Sequence, residues 1–410
     1  MSFRQLIRHR GILATASGAV AVVIAGGVFA SVSSGNSHET LASTANSHTV
    51  SGTKKSAPVK PLPPLRILSV TPSSGAKWVN GADSITVTFN EKLAANSPLP
   101  TLQPAIKGNW SISGETATFK PQVGYTQDTH VTLSVPGGRS GVEAAGLATD
   151  GITTTAATDA GLLPKSANYS FTTGSYSTLG LQEILTQLGY LPFTFTPSDA
   201  TAPAASGDAN AALSTAYDPP AGSFTFKSGY PWQLTSQWKA GSGNELDTGA
   251  VMAFENNTGL TMDGIAGPSV WSNLLSAAVK DKQNPSGYTY VLVSQSSPET
   301  EKVYHNGKLI ETTPVNTGIA GRSTVDGTFP VYSRFQVTQM TGTNPDGSKY
   351  NDTVQWVSYF NGGDALHYFE RPGYGYYQSL GCVEEPYDAA KYIWQYTTYG
   401  TLVTVTGPVS

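Results

Sequence analysis

No internal disulfide can brace this chain. Cys382 is the only cysteine among 410 residues, so each domain must be held by its own apolar core, and the length allows two or three such cores. Residues Gly11 to Val32 contain no charged side chain and come after Arg4, Arg8 and Arg10. That pattern keeps the N-terminus inside the cell and carries the chain beyond Val32 across the membrane. As a helix the run is about 33 Å long, enough for a bilayer core of about 30 Å. The small residues of Val28-Phe29-Ala30 equally suit signal-peptidase cleavage, so residues 1–32 read as a signal peptide or a membrane anchor. No cysteine directly succeeds the run, which excludes a bacterial lipoprotein.

Composition agrees with export. Charged residues are 13%, against about 25% in ordinary soluble proteins, while Gly, Ser, Thr and Tyr abound, as in β-rich extracellular domains. A net charge of −4 argues against nucleic acid as a partner. Residues 33–64 are polar and end in Pro58-Val59-Lys60-Pro61-Leu62-Pro63-Pro64. They read as a disordered linker, stiffened toward polyproline II near its end.

From 65 to 174 short segments alternate with period two: Ser84 to Phe89, Glu115 to Phe119 and His130 to Val135. Such alternation predicts a β-sandwich, with His130 facing solvent. Val70-Thr71-Pro72-Ser73-Ser74-Gly75, Phe89-Asn90-Glu91, Gly108-Asn109-Trp110 and Tyr169 to Thr173 together resemble a bacterial immunoglobulin-like domain. Residues 175–284 start helical, with Leu181, Ile184, Leu185 and Leu188 on one face and Gly189 as the stop. Further helical pieces lie at Ala250–Phe254 and Val270–Leu275. Together with Gly259-Leu260, Asp263-Gly264, Gly267 and Trp271 they resemble the three-helix peptidoglycan-binding domain. Residues 193–247, rich in Pro, Ala and Gly, depart from that pattern as an insertion able to cover or rebuild a glycan groove. A plain helical spacer is the alternative.

Residues 286–408 return to strands, with an Asn306-Gly307 hairpin, a short helix over Asp388–Tyr396 and a last strand over Thr401–Val405. Cys382 lies in Gln378-Ser379-Leu380-Gly381-Cys382-Val383-Glu384, fifteen positions after His367. A lone exported thiol is intermolecular, buried and inert, or reactive. The other histidine here, His305, sits at the hairpin tip, which leaves His367 as the available base. Two histidines and one cysteine without ligand spacing speak against a metal. An imidazolium neighbour is expected to turn the thiol largely into thiolate, and Asp326 or Asp364 is a candidate to orient the ring.

The hairpin tip, Thr317-Gly318, Thr324, Gly327-Thr328-Phe329, His367, Ser379-Leu380-Gly381-Cys382-Val383 and Gly400 to Val403 resemble the catalytic domain of the L,D-transpeptidases. The resemblance implies a mainly β, multidomain cell-envelope enzyme without a cofactor, acting on peptidoglycan stem peptides and glycan. It makes Cys382 the nucleophile and His367 the general base and acid. Backbone N–H groups around Gly381 and Cys382 are the candidate oxyanion hole, and Ser379 supports the loop or hydrogen-bonds near the imidazole. Tyr368, Tyr376, Tyr377 and Glu384 are candidate substrate contacts. Leu380, Glu384 and the short His–Cys interval depart from the family pattern. A free Glu384 carboxylate is expected to repel an acidic substrate and so favour a diaminopimelate whose side-chain carboxyl is amidated or directed elsewhere. Transpeptidation forming 3→3 cross-links, L,D-carboxypeptidation and non-catalytic wall binding all remain open at this point.

Overall fold

The N-terminal strands arise from alternation of threonine or serine with apolar residues. The computed structural model describes residues 62–146, 160–201 and 205–407. The signal or anchor at 1–32 and most of the 33–64 linker lie outside the described residues. Among the described residues, no helix is long and apolar enough to cross a membrane. The N-terminal strands are β1 (Ile67–Thr71), β2 (Ala76–Val79), β3 (Ile85–Phe89), β4 (Thr101–Gln103), β5 (Gly108–Ser113), β6 (Thr116–Pro121), β7 (His130–Val135) and β8 (Ala167–Thr173). They form two sheets, ordered β1-β3-β6-β5 and β2-β8-β7-β4. Every second residue of β3 is buried, and Ile85, Val87 and Phe89 meet Val131, Leu133, Val135 and Phe171 from the other sheet. His130 is exposed, as the alternation requires.

The middle segment comprises α1 (Thr178–Gln187), β9 (Phe193–Pro197), α2 (Ala209–Tyr217), β10 (Gly222–Phe226), α3 (Trp232–Thr235), α4 (Glu245–Thr258) and α5 (Pro268–Val279). Ser177 caps α1 by accepting from the Gly180 amide, and Leu181, Ile184, Leu185 and Leu188 are buried on its inner face. An Asn244–Asp247 capping box starts α4, and Gly259 ends it at φ +72°. Residues 193–247 are no appended loop. They contribute Phe193, Ala212, Ala216, Leu234 and Leu246 to the same core as α1, α4 and α5. Helix α2 also joins the sandwich: Tyr217 Oη donates to Tyr125 O at 2.8 Å, and Asn210 Nδ2 donates to Ala82 O at 3.0 Å.

The C-terminal domain holds β11 (Thr289–Ser294), β12 (Thr300–His305), β13 (Lys308–Pro314), β14 (Gly327–Pro330), β15 (Ser333–Thr343), β16 (Lys349–Asn361), β17 (Asp364–Tyr368), β18 (Val383–Glu385), α6 (Tyr387–Ile393) and β19 (Leu402–Thr406). One sheet has the order β13-β12-β11-β19-β14 and the other β15-β16-β17-β18. Val291, Val293, Val303, Val403 and Val405 pack against Phe360, Leu366 and Val383 between the sheets. The opposite face of the first sheet is covered too. Tyr288, Tyr290, Leu292 and Leu402 belong to the core built by α1, α4 and α5. Strand β11 is therefore buried over five consecutive residues, although its sequence alternates. Residues 315–318 are irregular chain that makes single bridges from Asn316 to Glu384 and from Gly318 to Ser379.

Candidate active site

Strands β17 and β18 run parallel and in register, with Leu366 opposite Val383, His367 opposite Glu384 and Tyr368 opposite Glu385. Leu366 and Val383 point into the core between the sheets. Alternation then turns Ala365 and His367 of β17, and Glu384 of β18 with Cys382 just before that strand, to the opposite face. There, together with the long β15–β16 hairpin, they wall a cleft of about 320 Å³. His367 and Cys382 both line it, as do Tyr350 and Asp352 from β16, Phe369 and Arg371.

His367 is 3% exposed. Its Nδ1 lies 3.0 Å from the Tyr368 carbonyl oxygen. Nδ1–H donates there, which fixes the neutral tautomer with Nε2 as the acceptor. Burial lowers the imidazole pKa below its ordinary value. The Cys382 thiol is pushed up to about 12, first by desolvation and then by the Asp364 and Glu384 carboxylates, against a lowering contribution from the Ala365 amide. The resting pair is therefore neutral thiol and neutral imidazole. This departs from the expected thiolate–imidazolium pair: desolvation disfavours the charge on both groups, although Cys382 keeps intermediate exposure where it lines the cleft. Sγ donates to Gly363 O at 3.7 Å.

The loop before the nucleophile is tied by Ser379. Its Oγ donates to Cys382 O at 2.5 Å and accepts from the Gly381 amide at 3.2 Å. The Gly381 N–H is thus already engaged, contrary to its expected place in an oxyanion hole. Glycine is required here on two counts. Its φ is +127°, and a Cβ would lie 2.6 Å from Asp364 Oδ1. Asp364 itself accepts from the Val325 amide at 3.3 Å, and Asp326 accepts from Gln295 Nε2 at 2.7 Å. The group that orients the imidazole is a backbone carbonyl, not either aspartate. Upstream, the buried Glu299 accepts from Thr317 N and Oγ1 at 2.6 and 2.7 Å, and Thr324 Oγ1 accepts from the Gly318 amide at 3.0 Å. Those Thr and Gly residues shape the wall beside Ser379.

The other expected substrate contacts fare differently. Tyr368 packs on Tyr387 with centroids 5.1 Å apart, Tyr377 Oη donates to Gln295 O at 2.6 Å, and Tyr376 is 47% exposed. None of the three lines the cleft. Glu384 does line it, but as half of an ion pair. Arg371 Nε and Nη2 donate to its two oxygens at 2.7 and 2.6 Å. The expected bare, repelling carboxylate is thus neutralised by a guanidinium from the loop after β17. Arg371 also lies over the Phe369 ring, 4.7 Å from its centroid, and Phe369 meets the His367 ring edge-on at 6.3 Å. Sequence reasoning missed Arg371. Its signal is that no other Lys or Arg occurs between positions 350 and 390. Among the described residues, no three His, Cys, Asp or Glu side chains gather as metal ligands.

Residues 288–405, which contain every wall of this cleft, match the YkuD family, the L,D-transpeptidase catalytic domain. The C-terminal domain is an L,D-transpeptidase catalytic domain. Residues 62–173 match the bacterial Ig-like domain, Big_5, in agreement with the sandwich. Among solved structures, an L,D-transpeptidase from Mycobacterium smegmatis is 13% identical, covering 84% of this chain and 100% of its own, with a TM-score of 0.26. L,D-transpeptidase 3 from Mycobacterium tuberculosis is 12% identical, covering 83% and 98%, with a TM-score of 0.27. The catalytic domain of the E. faecium L,D-transpeptidase is 26% identical, covering 29% of this chain and 96% of its own, with a TM-score of 0.27. At these scores the assignment of the L,D-transpeptidase domain rests on the family match. Among curated proteins, none matches the chain.

Proposed function

We propose that this protein is a cysteine-dependent L,D-transpeptidase that forms 3→3 cross-links in peptidoglycan. The observation that carries this reading is the shared cleft of His367 on β17 and Cys382 just before β18, with His367 Nδ1 committed to the Tyr368 carbonyl. Because the resting thiol is protonated, attack and proton transfer are coupled. Sγ bonds to the carbonyl carbon at the L-centre of diaminopimelate while its proton passes to His367 Nε2. The oxyanion takes the Cys382 amide as a donor, since the Gly381 amide serves Ser379. Collapse breaks the C–N bond, and D-alanine leaves with the proton from Nε2. A side-chain amine of a second stem then attacks the thioester, gives its proton to Nε2, and the thiol is regenerated. Water in place of that amine makes the same site an L,D-carboxypeptidase.

The same reading puts the site outside the cytoplasm. It takes 1–32 as signal or anchor, 33–64 as the stalk, 65–174 as the Ig-like spacer, 175–284 as a peptidoglycan-binding segment and 286–408 as the catalytic domain. The test is the intact mass of the full chain after exposure to a carbapenem, whose strained carbonyl acylates a competent thiol. One adduct is expected, absent from Cys382→Ala and slowed at least tenfold in His367→Gln. No adduct on folded protein would sink the reading in favour of non-catalytic wall binding. Tetrapeptide stems then separate the two activities by product: cross-linked dimers for the transpeptidase, trimmed monomers for the carboxypeptidase.

A further inference from the structure

Five non-glycine residues among those described have positive φ, and two of them are tryptophans, Trp78 at +61° and Trp356 at +60°. A bulky residue in that conformation costs about 1–3 kcal/mol and persists where something else holds it. At Trp356 the compensation is visible. Its ring packs 5.6 Å from Trp394 and 6.4 Å from Tyr387. Trp78 has no such return. It sits where the pairing of β2 with β8 shifts register, and it is 77% exposed. The fold thus holds the largest apolar side chain in a strained position and leaves its surface in water.

Beside it lies a cleft of about 520 Å³ at the joint between the sandwich and α2, within the range of small-molecule sites. Trp78, Lys77, Asp83, Ser84 and Asp218 line it. Among the described residues, neither carboxylate nor the Lys77 ammonium is taken up by an ion pair. An exposed ring offers an apolar face to the C–H side of a sugar, while free carboxylates, an ammonium and a hydroxyl match its hydroxyl rim. Two carboxylates against one ammonium also disfavour an anionic ligand. We propose that this cleft binds an uncharged sugar ring of a polysaccharide, stacked on Trp78 and hydrogen-bonded by Asp83 and Asp218. The site is separate from the thiol cleft and stands whether or not that cleft is catalytic.

The test is calorimetric titration of the full chain with a tetramer of N-acetylglucosamine. Trp78→Gly is the decisive variant, because glycine accepts the positive φ while the ring is lost. The expected result is saturable binding that weakens about tenfold or more in Trp78→Gly, together with an unchanged or higher melting temperature. Trp232→Ala, which removes another exposed tryptophan, 71% exposed, is expected to bind as the unaltered chain does. No binding by the unaltered chain, equal affinity in Trp78→Gly, or equal loss in both variants would overturn the proposal. Carbapenem acylation of Trp78→Gly, read on the same sample, separates this outcome from the fate of the catalytic reading.

Discussion

At the scale of the residue, Cys382 is a thiol among groups that oppose its ionisation. Desolvation, Asp364 and Glu384 hold it protonated, up to about 12. Alkylation by iodoacetamide reads the thiolate fraction, so in the substrate-free protein its rate is expected to keep rising between about pH 9 and 11. An ordinary thiol levels off not far above its pKa of about 8.5, and such a plateau would contradict the neutral resting pair. The two central residues were legible because they are scarce: one cysteine, and one histidine in the domain away from the hairpin tip. Their protonation was not, since it depends on how strands pack around them. Likewise Glu384 read as a bare charge because its partner, Arg371, lies 13 positions upstream in a loop. Tyrosines near the motif read as substrate contacts although Tyr368 and Tyr377 are engaged elsewhere and Tyr376 faces solvent outside the cleft, because proximity in sequence does not say which way a side chain turns.

At the scale of the element, the contact of α4 with the C-terminal sheet sets two expectations against each other. Gly249 lies inside α4, where replacing glycine by alanine gains about 1 kcal/mol of helix propensity. A Cβ there would lie 2.6 Å from Gly400 O and 2.9 Å from Leu402 Cδ2. Forcing a methyl into such a contact costs about 1–3 kcal/mol, and the obstacle is backbone that cannot turn aside. Gly249→Ala is therefore expected to lower the melting temperature despite its better propensity; a rise would show that α4 is free to shift. Strongly patterned elements were legible, among them the sandwich strands, α1 and the Asn306-Gly307 hairpin. Helix α2 was not, for its Ala-rich stretch lies within a Pro- and Gly-rich segment. Strands β15, β17 and β18 also escaped notice: β17 and β18 are short, and β15 alternates on a hairpin with little burial.

At the scale of the whole molecule, buried carboxyls tie stability to pH. Glu301 of β12 and Glu385 of β18, one from each sheet of the catalytic domain, are 0% and 1% exposed and face each other. Burial raises Glu301 to about 8, with Glu311 adding to the shift and Glu385 opposing it, and raises Glu385 well above the ordinary value. Asp247 of α4, also desolvated, titrates at about 6. Each group holds its proton more tightly folded than unfolded, so the folded chain carries the extra protons and stability falls as pH rises. For Glu301 the decline sets in above the ordinary 4.5 and runs toward about 8. Glu301→Gln is expected to flatten the decline of melting temperature between about pH 5 and 8; an unchanged slope would remove the pair from the account. By itself the sequence determined the strand-rich class, the order of sandwich, helices and second β domain, and the thiol and imidazole on which chemistry depends. These are read from period, turn residues and scarcity, all of which are local. The tertiary structure alone decided that the helices share a core with the catalytic sheet, that the imidazole leans on a backbone carbonyl, that Arg371 cancels Glu384, and that the thiol rests uncharged. Each of these depends on distances between residues remote in sequence and on the water excluded between them, and no local pattern carries either.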